Sequence, residues 1–228
     1  MIKKILHTRT FKVTVFIFIC VVIYLSPGFS WNVKSARIEA ENHIEQQYKF
    51  KPKYISGGYS SSLDASHYLL DFVDEKNGVT FEVEVKGGQS FFIKQVKQYV
   101  ETDTYLEEML IKKMKEEISP VVKKEWEGAA AVKVDTMGHR TWEVYQEPTL
   151  NNIENLYKKD YYIAIKVKKA GTKQEESEKL FEIVKFLRSN DYLPYDIDVD
   201  FEGSNIKGIS IDNIDQINSS NDILTLMN

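Results

Sequence analysis

Cysteine is nearly absent from the chain, since Cys20 is the only one in 228 residues. No disulfide can form within the chain, which excludes the disulfide-stapled scaffolds of small secreted domains and suits a protein exported by a bacterium. Cys20 lies within an apolar run and follows Ile19, whereas a lipid-attachment cysteine follows a small residue. We therefore expect a small apolar side chain at this position that carries no lipid.

Glycine and proline are scarce as well, with 11 and 5 residues. A chain so poor in them does not form a disordered stalk. Tyrosine and phenylalanine, with 13 and 12 residues, are instead typical of the faces of β-sheets. The roughly 200 residues that follow the N-terminal segment are enough for one large core or two small ones.

Charge is absent from residues 13 to 31, and the first acidic residue is Glu39. The basic residues before this stretch are Lys3, Lys4, Arg9 and Lys12. The strongly apolar part, residues 13 to 25, fits the core of a cleaved signal peptide, with Gly28-Phe29-Ser30 as the cleavage site. The whole uncharged stretch instead fits a retained transmembrane helix of about 20 residues, with Trp31 as an interfacial anchor.

The charges on either side of this stretch predict its orientation. Basic segments stay on the cytoplasmic side, so residues 1 to 12 should be cytoplasmic and the chain from Asn32 onward outside. A helix buried in a protein core is the third alternative, which is disfavoured because no polar face interrupts the run. The sequence therefore predicts a single-pass protein of the cell membrane, with the membrane as a partner through residues 13 to 31.

The predicted exported part, residues 32 to 228, is acidic. It contains 26 of the 30 basic residues and all 34 acidic ones, which gives a net charge of −8. This charge argues against nucleic acid as a partner, because nucleic acid requires a basic patch. It also argues against adsorption to anionic lipid headgroups.

Residues 32 to 98 have the pattern of a helix followed by an antiparallel sheet. Apolar residues recur at helical spacing from Val33 to Tyr48, and Pro52 follows. Asn77-Gly78 predicts a two-residue hairpin in which both residues have positive φ, and Gly87-Gly88 predicts the next turn. The predicted strands are residues 53–59, 68–72 and 79–85, with a short fourth strand at 91–93.

Residues 99 to 228 have the pattern of a second helix-and-sheet unit. A helix is predicted over 101–126, with Ser119-Pro120 as a kink or as a fresh start. Thr172 to Glu175 form a capping box that opens another helix, which should end near Asn190. The tail from Ile214 reads as a short helix or a loose end. The predicted strands are residues 131–134, 141–145, 161–167, 197–201 and 209–211.

The predicted fold class is therefore α+β, with an N-terminal transmembrane helix followed by antiparallel sheets packed against helices. The predicted divisions are residues 1–31, 32–98 and 99–228. The helix at 101–126 fits either of the two folded units, so the boundary between these units can lie on either side of this helix.

The acidic cluster at the end of the chain is the most conspicuous candidate site. Asp196, Asp198, Asp200 and Glu202 alternate with Ile197, Val199 and Phe201. A helix–loop–helix calcium loop requires glycine at its sixth position, where this chain has Phe201. The alternation predicts a strand whose acidic residues face solvent, although four like charges side by side would attract a cation.

The histidines show no metal-ligand spacing. His43 lies beside the apolar stripe of its helix, and His67 lies opposite the apolar face of its strand, so both should be exposed. His139 is predicted in a turn after Gly138, and Asp135 is the residue with which it could form an acid–base pair. No nucleophile accompanies that pair.

No serine motif or phosphate loop stands out either. Residues 60 to 62 are a serine run in a glycine-rich stretch that reads as a turn or a strand end, and the pairs Gly57-Gly58 and Gly87-Gly88 lack phosphate-loop context. The sequence therefore predicts no catalytic, cofactor-binding or metal-ligating residue, no cofactor, and a protein that is not an enzyme.

Several segments together carry a family resemblance. They are the basic–apolar N-terminus, Ala36 to Tyr48, Tyr68 to Phe72, Tyr105 to Ile118 with Pro120, and Leu180 to Leu187 with Pro194-Tyr195. In this layout the chain resembles the YfjL-like membrane proteins of Gram-positive bacteria, a family of unknown function. The resemblance covers most of the chain and implies a two-unit, membrane-attached protein. It brings no catalytic residues.

Two functions fit these observations. The first is a membrane-anchored extracytoplasmic binding or sensing module, with an envelope protein as its expected partner. The second is a cell-envelope enzyme with an unrecognised active site. Perturbed pKa values in a deep cleft would favour the enzyme, and a flat surface with an exposed aromatic patch would favour the binding module.

Overall fold

The computed structural model of the chain describes residues 9–24, 30–61, 66–88, 96–136 and 161–227. It is an α+β fold in which β-sheets pack against helices, as predicted. Its elements in chain order are α1 (Arg9–Tyr24), α2 (Ser30–Tyr48), β1 (Lys53–Ser61), β2 (Ser66–Asp74), β3 (Val79–Gly88), β4 (Val96–Asp103), α3 (Tyr105–Glu125), β5 (Ala130–Thr136), β6 (Tyr161–Val167), α4 (Lys173–Ser189), β7 (Asp196–Phe201), β8 (Ile209–Ile211), a 3₁₀ turn (Ile214–Gln216) and α5 (Ser220–Leu226).

The chain divides into two compact units, Met1–Tyr105 and Leu106–Asn228. The sequence placed this division between residues 98 and 99. The observed division comes later because β4 continues to Asp103 and pairs with β3, so that this strand belongs to the first unit. Nearly all of α3, the helix that the sequence left unassigned, lies in the second unit.

The N-terminal helix α1 has 16 residues. Among the described residues, the structure contains no helix with both the length and the apolar character needed to cross a bilayer.

The first unit is an antiparallel meander, in the order β1-β2-β3-β4, with α2 against it. Leu70 pairs with Val83 and Phe72 pairs with Phe81, and all four side chains are buried. The facing stripe of α2 is Ala36, Ala40 and Ile44, which are fully buried. The strand and helix periodicities that predicted this packing are confirmed.

The β2–β3 turn differs from the predicted two-residue hairpin. Strand pairing closes at Asp74 and Val79, so the loop has four residues. Gly78 has a φ of 64°, whereas Asn77 does not adopt a positive φ. The longer loop forms because the Asp74 carboxylate accepts hydrogen bonds from the backbone N–H groups of Lys76 and Asn77, at 3.0 and 3.2 Å.

The fourth strand also differs from the prediction. The short strand expected at residues 91–93 lies outside the described residues, and the observed strand is β4. Gly87 and Gly88, predicted as a turn, end β3 instead. Gly87 has a φ of 91°, and a Cβ there would lie 2.5 Å from the carbonyl oxygen of Lys97 on β4. Close approach of the two strands therefore requires glycine at this position.

The second unit contains a four-stranded sheet in the order β5-β6-β7-β8. The β5–β6 and β7–β8 pairs are antiparallel as predicted, but β6 and β7 are parallel. The exception arises because α4 lies between these two strands in the chain and allows β7 to start at the same end of the sheet as β6. The strand predicted at residues 141–145 lies outside the described residues.

The helices of the second unit test the remaining helix predictions. Pro120 lies inside a continuous α3, so this position is not a fresh helix start. Both Pro120 and Glu116, whose carbonyl loses its partner, are exposed, so water can satisfy that carbonyl. The capping box at Thr172 and Glu175 is confirmed, as is the end of α4 at Asn190. The tail after Ile214 is helical in α5.

Candidate functional site

The second sheet has one buried face and one open face, which we call the outer face. Burial alternates along β6 and β7, so every second side chain points away from the core. The outer face consists of Ala131, Lys133, Asp135, Tyr162, Ala164, Lys166, Asp196, Asp198, Asp200 and Ser210. Asp198 and Asp200 are exposed, whereas the apolar residues between and beside them are buried. The predicted solvent-facing acidic strand is therefore confirmed.

Strand register places small side chains beside charged ones across this face. One row runs through Lys133, Ala164, Asp198 and Ser210, and the next through Ala131, Lys166 and Asp200. The lysines of these rows lie on β5 and β6, and the carboxylates lie on β7. In these two rows the cations therefore lie on β5 and β6 and the anions on β7, while Asp135 on β5 lies outside both rows.

A groove of about 600 Å³ crosses these two rows, from β5 to β8. Its lining includes Ala131 and Ala164, both lysines of these rows, and Asp198 and Asp200 of β7. The Lys133 amino group is held 2.6 Å from the carboxylate of Asp135, and the Lys166 amino group 2.6 Å from that of Glu202. Neither of these two acids lines the groove, although both lysines do, so each lysine charge is neutralised by an acid outside the groove.

The ion pairs shift the pKa values of their members. The hydrogen bonds that Lys133 donates to Asp135 and to the Tyr162 hydroxyl raise the pKa of Lys133. The bond with Glu202 raises the pKa of Lys166. Partial burial alone would raise the pKa of Asp135, but its hydrogen bonds with Lys133 and Tyr162 hold it below the usual value. The lysines are therefore charged and engaged throughout the neutral pH range.

A buried histidine–aspartate pair lies in the first unit. The Nε2 atom of His43 is 3.1 Å from Oδ2 of Asp103, whose side chain is fully buried. The Tyr48 hydroxyl donates to Oδ1 at 2.9 Å, and the backbone N–H of Tyr105 donates to the same oxygen at 3.1 Å. The expectation that His43 is exposed is therefore wrong, because its side chain is 24% exposed and bound to this carboxylate.

A second buried carboxylate continues this network. The Tyr105 hydroxyl donates to Asp74 at 2.8 Å, and the Asn77 side-chain amide donates at 2.6 Å. The rings of Tyr48 and Tyr105 lie 4.7 Å apart and link the two carboxylates. Burial and the neighbouring Asp103 carboxylate raise the pKa of Tyr48, and burial and Asp74 raise that of Tyr105 to about 12. Both phenols are therefore neutral hydrogen-bond donors.

The second unit holds a third buried acid, Glu176 on α4, which is 0% exposed. It accepts hydrogen bonds from the Trp126 indole, from the backbone N–H of Gly171 at 2.7 Å and from the Lys179 amino group at 2.9 Å. A pocket of about 390 Å³ lies beside these donors. Sequence reasoning missed Glu176, although it lies one helical turn before Leu180 on the apolar stripe of α4.

His67 lies on the predicted side of β2 but is not fully exposed. Its side chain is 16% exposed, and its Nδ1 atom lies 3.4 Å from Glu84. The neighbouring Asp71 pairs across the strands with Glu82. Burial, followed by repulsion from Asp71 and Glu84, raises the pKa of Glu82. Neighbouring acidic side chains therefore cover this face of the strand more closely than the alternation pattern predicted.

The other sequence candidates do not come together as a site. Ser60 lies in β1, and His139 lies outside the described residues, as does Ser62. Asp135 is bound to Lys133 and to the Tyr162 hydroxyl. Within the described ranges, no group of three or more histidine, cysteine, aspartate or glutamate side chains is arranged to hold a metal ion.

Comparison with known proteins gives no relative for this chain: no family model, no characterised protein and no solved structure matches it. The resemblance to the YfjL-like proteins therefore stays a prediction.

Proposed function

We propose that this chain is a single-pass membrane protein of a Gram-positive bacterium, of the YfjL-like kind, whose outer part is a binding or sensing module. The segment of residues 13 to 31 anchors it in the cell membrane. The two folded units lie outside the cytoplasm and bind an envelope protein.

The observation that carries the proposal is the surface of α1. Every described side chain from residue 11 to residue 22 is exposed, including Phe16 at 66%, Ile17 at 55% and Phe18 at 60%. Three successive residues of a helix point in three different directions, so the exposed apolar surface surrounds the helix. A surface of this kind in water is strongly unfavourable and requires a cover, which the hydrocarbon of a bilayer provides.

The charge distribution supports the orientation. Four basic residues and no acidic ones precede the apolar stretch, and the net charge of −8 follows it. Basic flanks remain on the cytoplasmic side, so the acidic part is exported. The same acidity keeps the exported part soluble and away from anionic headgroups.

Single-cysteine labelling tests the topology, because Cys20 is the only cysteine to remove. In a Cys20→Ser background, one variant carries cysteine at Lys4 and another at Glu182, an exposed residue of α4. A membrane-impermeant maleimide added to intact cells without their wall should label the second variant only. Permeabilised cells, in which both variants should react, provide the control. Labelling of the first variant alone would reverse the orientation.

The alternative, a cell-envelope enzyme, is favoured by one observation, the His43–Asp103 pair. A buried carboxylate that orients a half-buried imidazole is a common part of acid–base sites. The full chain would then hydrolyse a nitrophenyl ester, with the activity lost in His43→Gln and kept in His67→Gln. Equal, background-level rates in all three proteins would remove the support for this alternative.

A further inference from the structure

We propose that the groove on the outer face binds an extended basic segment of a partner polypeptide, with lysine or arginine at alternate positions. The inference rests on the proposed function in one respect, which is that this protein binds another protein. It adds the place of binding and the chemistry of the segment that is bound.

The floor of the groove is apolar and open. Ala131 and Ala164 lie on neighbouring strands of the outer face and offer only methyl groups, so a ligand can approach the sheet closely. Gly208, at the β8 end, adds no side chain. The volume of about 600 Å³ is large enough for two long side chains. The aliphatic stems of lysine or arginine can lie on such a floor while their charged ends reach polar groups.

The electrostatics of the groove select a cation. Within the described part of the chain, no salt bridge or hydrogen bond joins Asp198 or Asp200 to another side chain, and both are exposed. Lys133 and Lys166 also line the groove, and Asp200 acts electrostatically on Lys166, but ion pairs bind these two lysines to Asp135 and to Glu202. The groove therefore presents two available carboxylates next to an apolar floor, and a ligand with a cationic end and an apolar stem complements both.

The spacing of the two carboxylates selects an extended segment. Asp198 and Asp200 are two residues apart on β7, so their Cα atoms lie about 6.6 to 6.8 Å apart and their side chains share one face of the sheet. Alternate side chains of an extended polypeptide have the same spacing. Two basic residues separated by one residue can therefore each meet one carboxylate, whereas residues three apart point to opposite faces.

Two other occupants fit less well. A divalent cation requires more ligands than two carboxylates this far apart, and the described residues offer no group of three that could hold one. A second copy of this chain would bring two acidic faces together, because the three aspartates of β7 outnumber the lysines of the face. Both occupants are outcomes of the test below.

The test uses the full chain in a nonionic detergent and two fluorescent peptides with the same composition. The first is Ser-Lys-Ser-Lys-Ser-Lys-Ser, and the second, Lys-Ser-Ser-Lys-Ser-Ser-Lys, has no pair of lysines at alternate positions. Fluorescence anisotropy should show binding of the first peptide and clearly weaker binding of the second. Equal binding of the two peptides would overturn the proposal.

Variants then locate the binding. Asp198→Asn with Asp200→Asn should weaken binding of the first peptide by about tenfold, the loss expected for two surface ion pairs within the usual range of strength. The matched control, Glu178→Gln with Glu182→Gln, removes the same charge from α4 and should leave binding unchanged. Ala164→Leu fills the floor without a change in charge and should also weaken binding.

Other results would overturn the proposal. One is an equal loss of peptide binding in the aspartate variant and in its control. Another is displacement of the peptide by calcium that binds with a defined stoichiometry. The third is a dimer, detected by light scattering, that is absent in the aspartate variant. The topology experiment is independent of these outcomes. Correct topology without peptide binding would reject only this inference, and peptide binding with the reverse topology would reject only the membrane orientation.

Discussion

Asp103 supports the polar network of the first unit, because its buried carboxylate accepts hydrogen bonds from three groups. We expect Asp103→Ala to lower the free energy of unfolding by about 3 kcal/mol or more, since donors such as the Tyr48 hydroxyl lose a charged acceptor inside the protein. Urea unfolding of the full chain measures this change. The control is Asp71→Ala, which removes a carboxylate from the crowded acidic face and should change stability by less than about 0.5 kcal/mol. Equal losses would contradict the role of Asp103.

Asp74 should make the first unit sensitive to acid. Burial alone would raise its pKa, but hydrogen bonds from Tyr105, Asn77 and backbone N–H groups hold it below the ordinary value of 3.8. A carboxyl whose folded pKa is lowered contributes stability above its unfolded pKa and loses that contribution as the pH falls through the folded value. The free energy of unfolding should therefore decrease below pH 3.8, and Asp74→Asn should reduce this dependence. An unchanged pH profile in Asp74→Asn would contradict the assignment.

His43 shows that a sequence pattern does not reveal contacts between residues that are distant along the chain. The helical periodicity of α2 correctly separated the buried stripe, Ala36 to Ile44, from its neighbours. It did not reveal that Asp103, 60 residues further along the chain, meets His43. The sequence predicts that a change at His43 costs little stability, whereas the contact predicts a cost of about 1 to 2 kcal/mol.

Among the elements, α4 is the one whose local sequence specifies it most fully. Thr172 accepts a hydrogen bond from the backbone N–H of Glu175, and the Glu175 carboxylate accepts one from the backbone N–H of Thr172 at 2.7 Å. We expect Thr172→Ala to lower the free energy of unfolding by about 1 kcal/mol, because the first turn loses its cap. Thermal unfolding measures the loss. Thr172→Ser keeps the hydroxyl and should recover most of the stability, whereas equal losses in the two variants would assign the effect to the methyl group.

Elements that depend on distant partners were harder to predict. β4 was missed because Gln98 and Asp103 face inward and break the apolar alternation. The backbone carbonyl of Asn32 accepts a hydrogen bond from Gln98, and His43 and Tyr48 bind Asp103, so these polar residues are satisfied only in the folded unit. The parallel pairing of β6 with β7 was missed for a similar reason, since strand alternation carries no information on strand direction.

What the sequence predicts about function is limited by features that form only in the whole folded molecule. The alternation from Asp196 to Glu202 predicted a solvent-facing acidic strand, and this part of the outer face was available from the sequence. The groove was not, because it requires the register that places Ala131 and Ala164 beside the aspartates of β7. It also requires the ion pairs that bind the two lysines to Asp135 and Glu202.

Membrane attachment is the property that concerns the entire chain. We expect the mature protein to keep residues 13 to 31 and to remain with membranes after a wash in 1 M salt. Salt does not screen the burial of apolar surface, whereas it does screen the charge interactions that attach a peripheral protein. Cys20→Ser should remain attached as well, since the attachment requires no lipid on this residue. A chain that starts at Asn32 should stay in the wash and serves as the control. A mature N-terminus at Trp31 would instead identify residues 1 to 30 as a cleaved signal peptide, and release of the intact chain by salt would contradict an anchor in the bilayer.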